Sequence, residues 1–98
     1  MTQKKLKHSP IVYYISKHDG KAEWICLLHA AFVNHLMFRE QINEFKDKYN
    51  ILAIDIIGHG QSTEVKKKDG ILKMSEWIKE ILIVEGIEKI HIVGVSLG

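Results

Sequence analysis

Gly94-Val95-Ser96-Leu97-Gly98, where the sequence stops, has the spacing G-x-S-x-G. In that pattern a strand delivers a serine to a very tight turn, from which a helix leads away. The serine is expected in a strained backbone conformation, with its hydroxyl pushed out at the carboxyl edge of a sheet. Neighbouring backbone must pass close by, so Gly94 and Gly98 are where side chains would clash. The residues before the motif, Glu88-Lys89-Ile90-His91-Ile92-Val93, are β-branched and apolar enough to be a buried parallel strand. The chemistry implied is nucleophilic: Ser96 attacks a carbonyl, and an oriented base takes its proton.

Such a serine needs elements that position it. Ile11–Ser16 reads as a strand, Asp19-Gly20 as a turn, and Glu23–Leu28 as a second strand, almost wholly apolar and hence central. A helix is predicted from Leu36 to Lys48, burying Phe38, Ile42, Phe45 and Tyr49. Ile51–Ile57 is a third strand, ended by Gly58-His59-Gly60. A longer helix follows, about Ile71 to Glu85. Its stripe is Ile71, Met74, Ile78, Ile81 and Glu85, widened by Trp77 and Leu82, with Gly86 as its stop. Alternating strands and helices with short loops give an α/β fold, a mostly parallel sheet with flanking helices, in a single domain over residues 1–98.

Composition narrows the function classes. The chain has 98 residues, 46% hydrophobic and 27% charged, with a net charge of +2, ordinary values for a soluble globular protein. Its one basic run, Lys66-Lys67-Lys68, lacks interleaved aromatics and reads as a solvated loop, so no nucleic-acid partner is expected. The lone cysteine, Cys26, sits in an apolar run as a small hydrophobe, and no internal disulfide can form. The basic, polar N-terminus is followed by no long apolar stretch, so neither a signal peptide nor a membrane span is read, and a cytoplasmic protein is expected. No histidine pair has metal-ligand spacing on an identified helix face, and no metal or other cofactor is expected.

Three signatures in order make the chain resemble the α/β-hydrolase fold family. Leu27-Leu28-His29-Ala30-Ala31-Phe32 is similar to the family's L-L-H-G-x after its third strand. Asp55-Ile-Ile-Gly58-His59-Gly60-Gln61-Ser62 is similar to D-x-x-G-H-G-x-S after its fourth, and the serine motif is its nucleophile elbow. The resemblance spans roughly residues 10 to 98, the front part of a family member. It departs at Ala30, where glycine is usual. It implies an oxyanion hole made of the Ala31 and Leu97 backbone N–H groups. It also implies structural roles near the site: His29 braces the oxyanion loop, His59 sits in a tight turn, and Asp55 bonds the backbone of the Gly58–Gly60 turn. His8, His18, His35 and His91 read as surface or strand histidines. By family order the acid and histidine of the triad, and the lid that sets specificity, lie beyond Gly98. One local rule conflicts with the resemblance: Asp19-Gly20 suggests a hairpin, whereas the family places its fourth strand between its second and third. The resemblance is preferred, because the connection from Ser16 to Glu23 is longer than a two-residue turn.

The resulting expectation is a serine hydrolase acting on a small ester, thioester or other acyl substrate through an acyl-enzyme on Ser96. The serine argues against branches with an aspartate nucleophile. The 98 residues alone, lacking acid and base, are expected to be inactive. The alternative is a non-catalytic fragment or interaction module that self-associates or pairs with a complementary chain through an open sheet edge. A dinucleotide-binding domain fits poorly, since Gly58-His59-Gly60-Gln61-Ser62-Thr63 ends in threonine where G-x-G-x-x-G needs glycine.

Overall fold

The computed structural model describes residues 1–63 and 70–98; the Lys66–Lys68 run lies outside the described residues. Five strands form one sheet: β1 (Thr2–Lys5), β2 (Val12–Ser16), β3 (Trp24–Leu28), β4 (Asn50–Ile54) and β5 (His91–Gly94). Their order is β1-β2-β4-β3-β5. The sheet is mixed. β4, β3 and β5 are parallel to one another, while β1-β2 and β2-β4 are antiparallel. β4 therefore lies between β2 and β3, and Asp19-Gly20 makes no hairpin.

Asn50 and Asp19 show why. Asp19 Oδ1 accepts the N–H groups of Lys21 and Ala22, both at 2.7 Å, a local turn that does not return the chain beside β2. Asn50, buried at the start of β4, accepts from His18 N–H at 2.6 Å and Asp19 N–H at 3.2 Å. Its amide donates to the carbonyls of Asp19 at 2.8 Å and Ala22 at 3.0 Å. The connection is thus tied across the end of β4, one strand further over.

Period-2 alternation divides the apolar residues between two faces. Tyr13, Ile15, Cys26, Leu52 and Ile54 face helix α2 (Ile71–Val84), meeting Met74, Trp77 and Ile81. Val12, Tyr14, Leu27, Ile51 and Ala53 face the other way, onto Phe38 and Ile42. β4 is buried throughout, as a strand covered on both faces must be. Burial alone pushes the Cys26 thiol up to about 12, so it behaves as a hydrophobe.

The first helix is shorter than its periodicity suggested, whereas α2 spans nearly the range read. A 3-10 turn (His35–Phe38) precedes α1 (Arg39–Phe45). The Asn34 side chain caps this turn by accepting the Leu36 N–H at 2.8 Å. Phe38 and Ile42 are buried as expected, but Phe45 is 40% exposed and packs edge-on against Tyr49. In α2 the expected stripe holds from Met74 to Ile81, whereas Ile71 is 80% exposed. Glu85 is not an apolar contact. It accepts from Tyr13 OH at 2.6 Å and pairs with Lys4 at 3.1 Å, and these bonds hold its carboxyl below the usual range against the upward push of burial. Gly86, at φ 70°, ends the helix as read: Gly86 N–H reaches Ile83 O at 3.2 Å and Ile87 N–H reaches Leu82 O at 2.8 Å.

Two strands differ from the sequence reading. β1 was not foreseen, because its four residues, Thr-Gln-Lys-Lys, are all exposed and carry no alternation. β5 is parallel as expected but not buried: it is the sheet's edge strand among the described residues, with Ile92 58% and Val93 44% exposed.

Candidate active site

Register places the three sequence signatures at one level. Leu28 of β3 pairs with Ile54 of β4 on one side and with Gly94 of β5 on the other. The next residues, His29, Asp55 and Val95, all leave the sheet at its carboxyl edge. In parallel sheets this is the edge where loops gather functional groups.

Ser96 stands two residues past the end of β5, with φ 56°. Left-handed backbone is uncommon for a residue with a Cβ. The turn is closed by Val95 N–H to Leu28 O at 3.2 Å and Gly98 N–H to Val95 O at 3.1 Å. Neither flanking glycine has room for a side chain. A Cβ on Gly94 would lie 2.5 Å from Gly98 O, and one on Gly98 would lie 2.7 Å from the Leu28 carbonyl carbon. Leu97 follows, 46% exposed. The N–H groups of Ala31 and Leu97 make no backbone hydrogen bond among the described residues. A largely apolar cavity of about 340 Å³ opens beside this turn, between Leu28, Ile57, Met74 and Leu97.

His29 is wholly buried and both ring nitrogens are engaged. Nε2 accepts the Ile56 N–H at 2.9 Å, which leaves the proton on Nδ1, 2.7 Å from Ala30 O. Desolvation chiefly drives its pKa below the ordinary value, outweighing the Ala30 carbonyl. A neutral imidazole with no free lone pair braces the loop and cannot serve as a base without breaking the Ile56 bond. His59 lies 5.1 Å from it, ring to ring, in a turn closed by His59 N–H to Ile56 O at 2.8 Å and Gly58 N–H to Ser62 O at 2.6 Å.

Asp55 is wholly buried, and its bond to the turn goes to Gln61, just past Gly58–Gly60, rather than to the Gly58 or His59 backbone. Its Oδ2 accepts Gln61 N–H at 3.1 Å and Tyr14 OH at 2.8 Å. Its Oδ1 lies 2.9 Å from both the backbone N and the Nδ1 of His35. Burial pushes the carboxyl up, but the four donors together hold it below the usual carboxylate range. Burial, with the adjacent Asp55 carboxylate, drives the Tyr14 hydroxyl well above its ordinary value. His35 is therefore not a surface or strand histidine. It begins the 3-10 turn, bonds Asp55 and stacks on Tyr14, with ring centres 3.6 Å apart and planes 18° apart. Sequence reasoning missed Tyr14 and His35, whose partners lie 41 and 20 residues away. It quoted Ser62 without giving it a role. That hydroxyl is buried and accepts the Val12 N–H at 2.8 Å, tying the turn to β2.

Gly60 shows how tightly this carboxylate is enclosed. Its φ is 50° and an added Cβ would lie 2.5 Å from Asp55 Cγ. Gly86 is also left-handed, at φ 70°, but a Cβ there meets nothing within 4 Å. Gly86→Ala should cost about 1 kcal/mol, the backbone strain alone. Gly60→Ala should cost at least about 2 kcal/mol more, because a buried carboxylate must also move. Urea unfolding of the two variants checks the difference.

Among the described residues no three His, Cys, Asp or Glu side chains are grouped to hold a metal ion, and no helix is long and apolar enough to cross a membrane.

Comparison with known proteins agrees with this arrangement. Residues 23–98 match the family model for the alpha/beta hydrolase fold. The chain is 30% identical over 97 residues to an uncharacterized carboxylesterase, nap, of Bacillus subtilis (strain 168), covering 88% of this chain and 32% of that protein. It is 34% identical over 65 residues to 3-oxoadipate enol-lactonase 1 of Acinetobacter baylyi, covering 66% of this chain and 24% of that protein. Among solved structures, the α/β hydrolase MGS-M2 from a Medee basin deep-sea metagenome library superposes with a TM-score of 0.85 at 22% identity, over 99% of this chain and 36% of that one. The chain thus spans about a third or less of the length of the proteins it matches. With the three signatures on one sheet edge and a family match over most of its residues, the chain belongs to the alpha/beta hydrolase fold family.

Proposed function

We propose that Ser96 is the nucleophile of a serine hydrolase that cleaves small esters, thioesters or lactones through an acyl-enzyme. One observation carries the reading: a serine at φ 56° on the carboxyl edge, between two glycines whose Cβ positions are filled by backbone. Strain of this kind persists where surrounding structure enforces it, and such sites cluster where chemistry is done. Carboxylesterase and lactonase relatives support the same substrate class.

In the proposed reaction Ser96 Oγ attacks the acyl carbon while a general base takes its proton. Negative charge gathers on the former carbonyl oxygen, where the N–H groups of Ala31 and Leu97 stabilise it. Collapse expels the alcohol or thiol, which receives that proton, and water then repeats the attack to free the acid and Ser96. By the family's order the base and its orienting acid are expected after the serine, and the engagement of His29 at both nitrogens and of Asp55 with four donors is consistent with that order. No metal or organic cofactor enters this scheme. With a single cysteine and so no internal disulfide, the protein is read as cytoplasmic.

The test is covalent trapping. A fluorophosphonate probe applied to the complete gene product should add its mass to the peptide carrying Ser96. An unlabelled protein, or an adduct on another residue, would overturn the reading.

A second reading has one observation behind it. The edge strand β5 exposes Ile92 and Val93, a surface on which a complementary strand could pair. In that case the 98 residues act as an interaction module, and the probe should leave Ser96 unlabelled.

A further inference from the structure

Ala31 belongs to a short arch whose two feet stand on consecutive residues. His29 is the first foot, accepting the Ile56 N–H at 2.9 Å. His35 is the second, with its backbone N and its Nδ1 each 2.9 Å from Asp55 Oδ1. Between the feet the chain leaves the sheet and returns, with Phe32 at its crown. Phe32 has φ 66° and is 98% exposed. A bulky residue in that conformation is strained, and one so exposed gains nothing from packing. The crown therefore does not hold itself. Among the described residues its other tethers lie close to the feet: the Ala30 carbonyl, 2.7 Å from His29 Nδ1, the Ala30 N–H, 3.3 Å from Met37 Sδ, a weak acceptor, and the Asn34 carbonyl, which accepts the Met37 N–H at 3.2 Å. Where the Ala31 N–H points is set by the feet.

The two feet differ. His29 is wholly buried, with Ile56 N–H on one ring nitrogen and the Ala30 carbonyl on the other. His35 is held by one carboxylate and one aromatic face, Tyr14, and Tyr14 is bonded to the same carboxylate at 2.8 Å. Tyr14, Asp55 and His35 thus close a triangle: two hydrogen bonds to one acid and a ring stack between the donors.

We infer that His35 is a positioning residue: through Asp55 it fixes the arch so that the Ala31 N–H meets the developing oxyanion. The inference rests on the reading of Ser96 as nucleophile. An oxyanion donor matters more to the transition state than to bound substrate, so a misplaced arch lowers kcat and spares KM. A general structural role would instead lower the melting temperature without separating kcat from KM.

The experiment uses the complete gene product with p-nitrophenyl butyrate, alongside Ser96→Ala as a control. His35→Phe keeps a flat ring against Tyr14 and removes the donor. His35→Asn removes the stack and returns an N–H near the place of Nδ1. His35→Phe should lower kcat about tenfold or more with KM within about twofold. His35→Asn should recover kcat to within about threefold of the parent. The inference is overturned if Ser96-dependent hydrolysis persists and His35→Phe leaves kcat unchanged, if KM changes in place of kcat, or if Asn is as impaired as Phe. Hydrolysis that does not depend on Ser96 overturns the nucleophile reading itself and this inference with it. Should His35→Phe not fold, Tyr14→Phe decides: a several-fold fall in kcat at unchanged KM supports the triangle, and an unchanged kcat overturns it.

Discussion

Replacing Ser96 by alanine in the complete gene product should reduce ester hydrolysis by at least about 10⁴-fold, as expected when a covalent nucleophile is lost. The fold should be unaffected, because the turn is closed by backbone bonds, Val95 N–H to Leu28 O and Gly98 N–H to Val95 O, that alanine keeps. Ser96→Gly separates the two roles of this position. It should be equally inactive, yet more stable by about 1 kcal/mol, since glycine adopts φ 56° without the cost borne by a Cβ. Initial rates with a short acyl ester, together with urea midpoints for the parent and both variants, check this. An alanine variant that keeps its activity would remove Ser96 from the chemistry. A glycine variant no more stable than alanine would show that the turn is not strained in solution.

The second large effect is on stability. Asp55→Ala should destabilise the protein by about 3–5 kcal/mol, because it leaves buried donors that had been satisfied by a charged acceptor. Those donors are Tyr14 OH, the His35 backbone and ring, and the Gln61 N–H. Asp55→Asn should cost less, since its amide oxygen can keep the His35 contacts while its NH₂ cannot accept from Gln61. The pH dependence has a definite sign. The folded carboxyl titrates below its ordinary value of 3.8, so the unfolded chain binds the proton first as pH falls. Asp55 thus contributes fully above 3.8, and its contribution is lost as pH falls from there through the lower folded value. The parent should therefore lose stability below about pH 4 more steeply than Asp55→Asn does. Equal slopes in urea titrations at pH 3–7 would contradict this account.

Much of the site's frame was legible because its residue types answer backbone requirements. Gly60, Gly94 and Gly98 stand where a Cβ would strike a carboxylate or a carbonyl, so their spacing encoded close approach before any fold was known. The α/β pattern, the stop at Gly86 and the placement of β4 were readable, the last only through resemblance, because Asp19-Gly20 taken locally argued for a hairpin. The remainder was hidden for physical reasons. β1 has no buried face and so leaves no periodic trace. The exposure of β5, Ile71 and Phe45 depends on what covers them, not on their type. The role of His35 depends on a partner 20 residues away, which no spacing rule connects to it.

The position of β4 has a consequence for how the sheet comes together. Strands β2 and β3 are synthesised next to each other but never pair; each must wait for β4, the strand that separates them. The ladder joining β2 to β4 spans a wide loop, as the Tyr14–Asp55 bond across 41 residues shows. Closing such loops early is entropically costly, so topologies of this kind fold slowly and leave their first strands unpaired for longer. On the ribosome, β2 and β3 would emerge as two apolar segments with no correct partner until residue 54 is free. Pairing between them in the interval would be a trap, and the local turn that Asp19 builds with the Lys21 and Ala22 N–H groups is placed where it disfavours that mistake before Asn50 arrives to hold it.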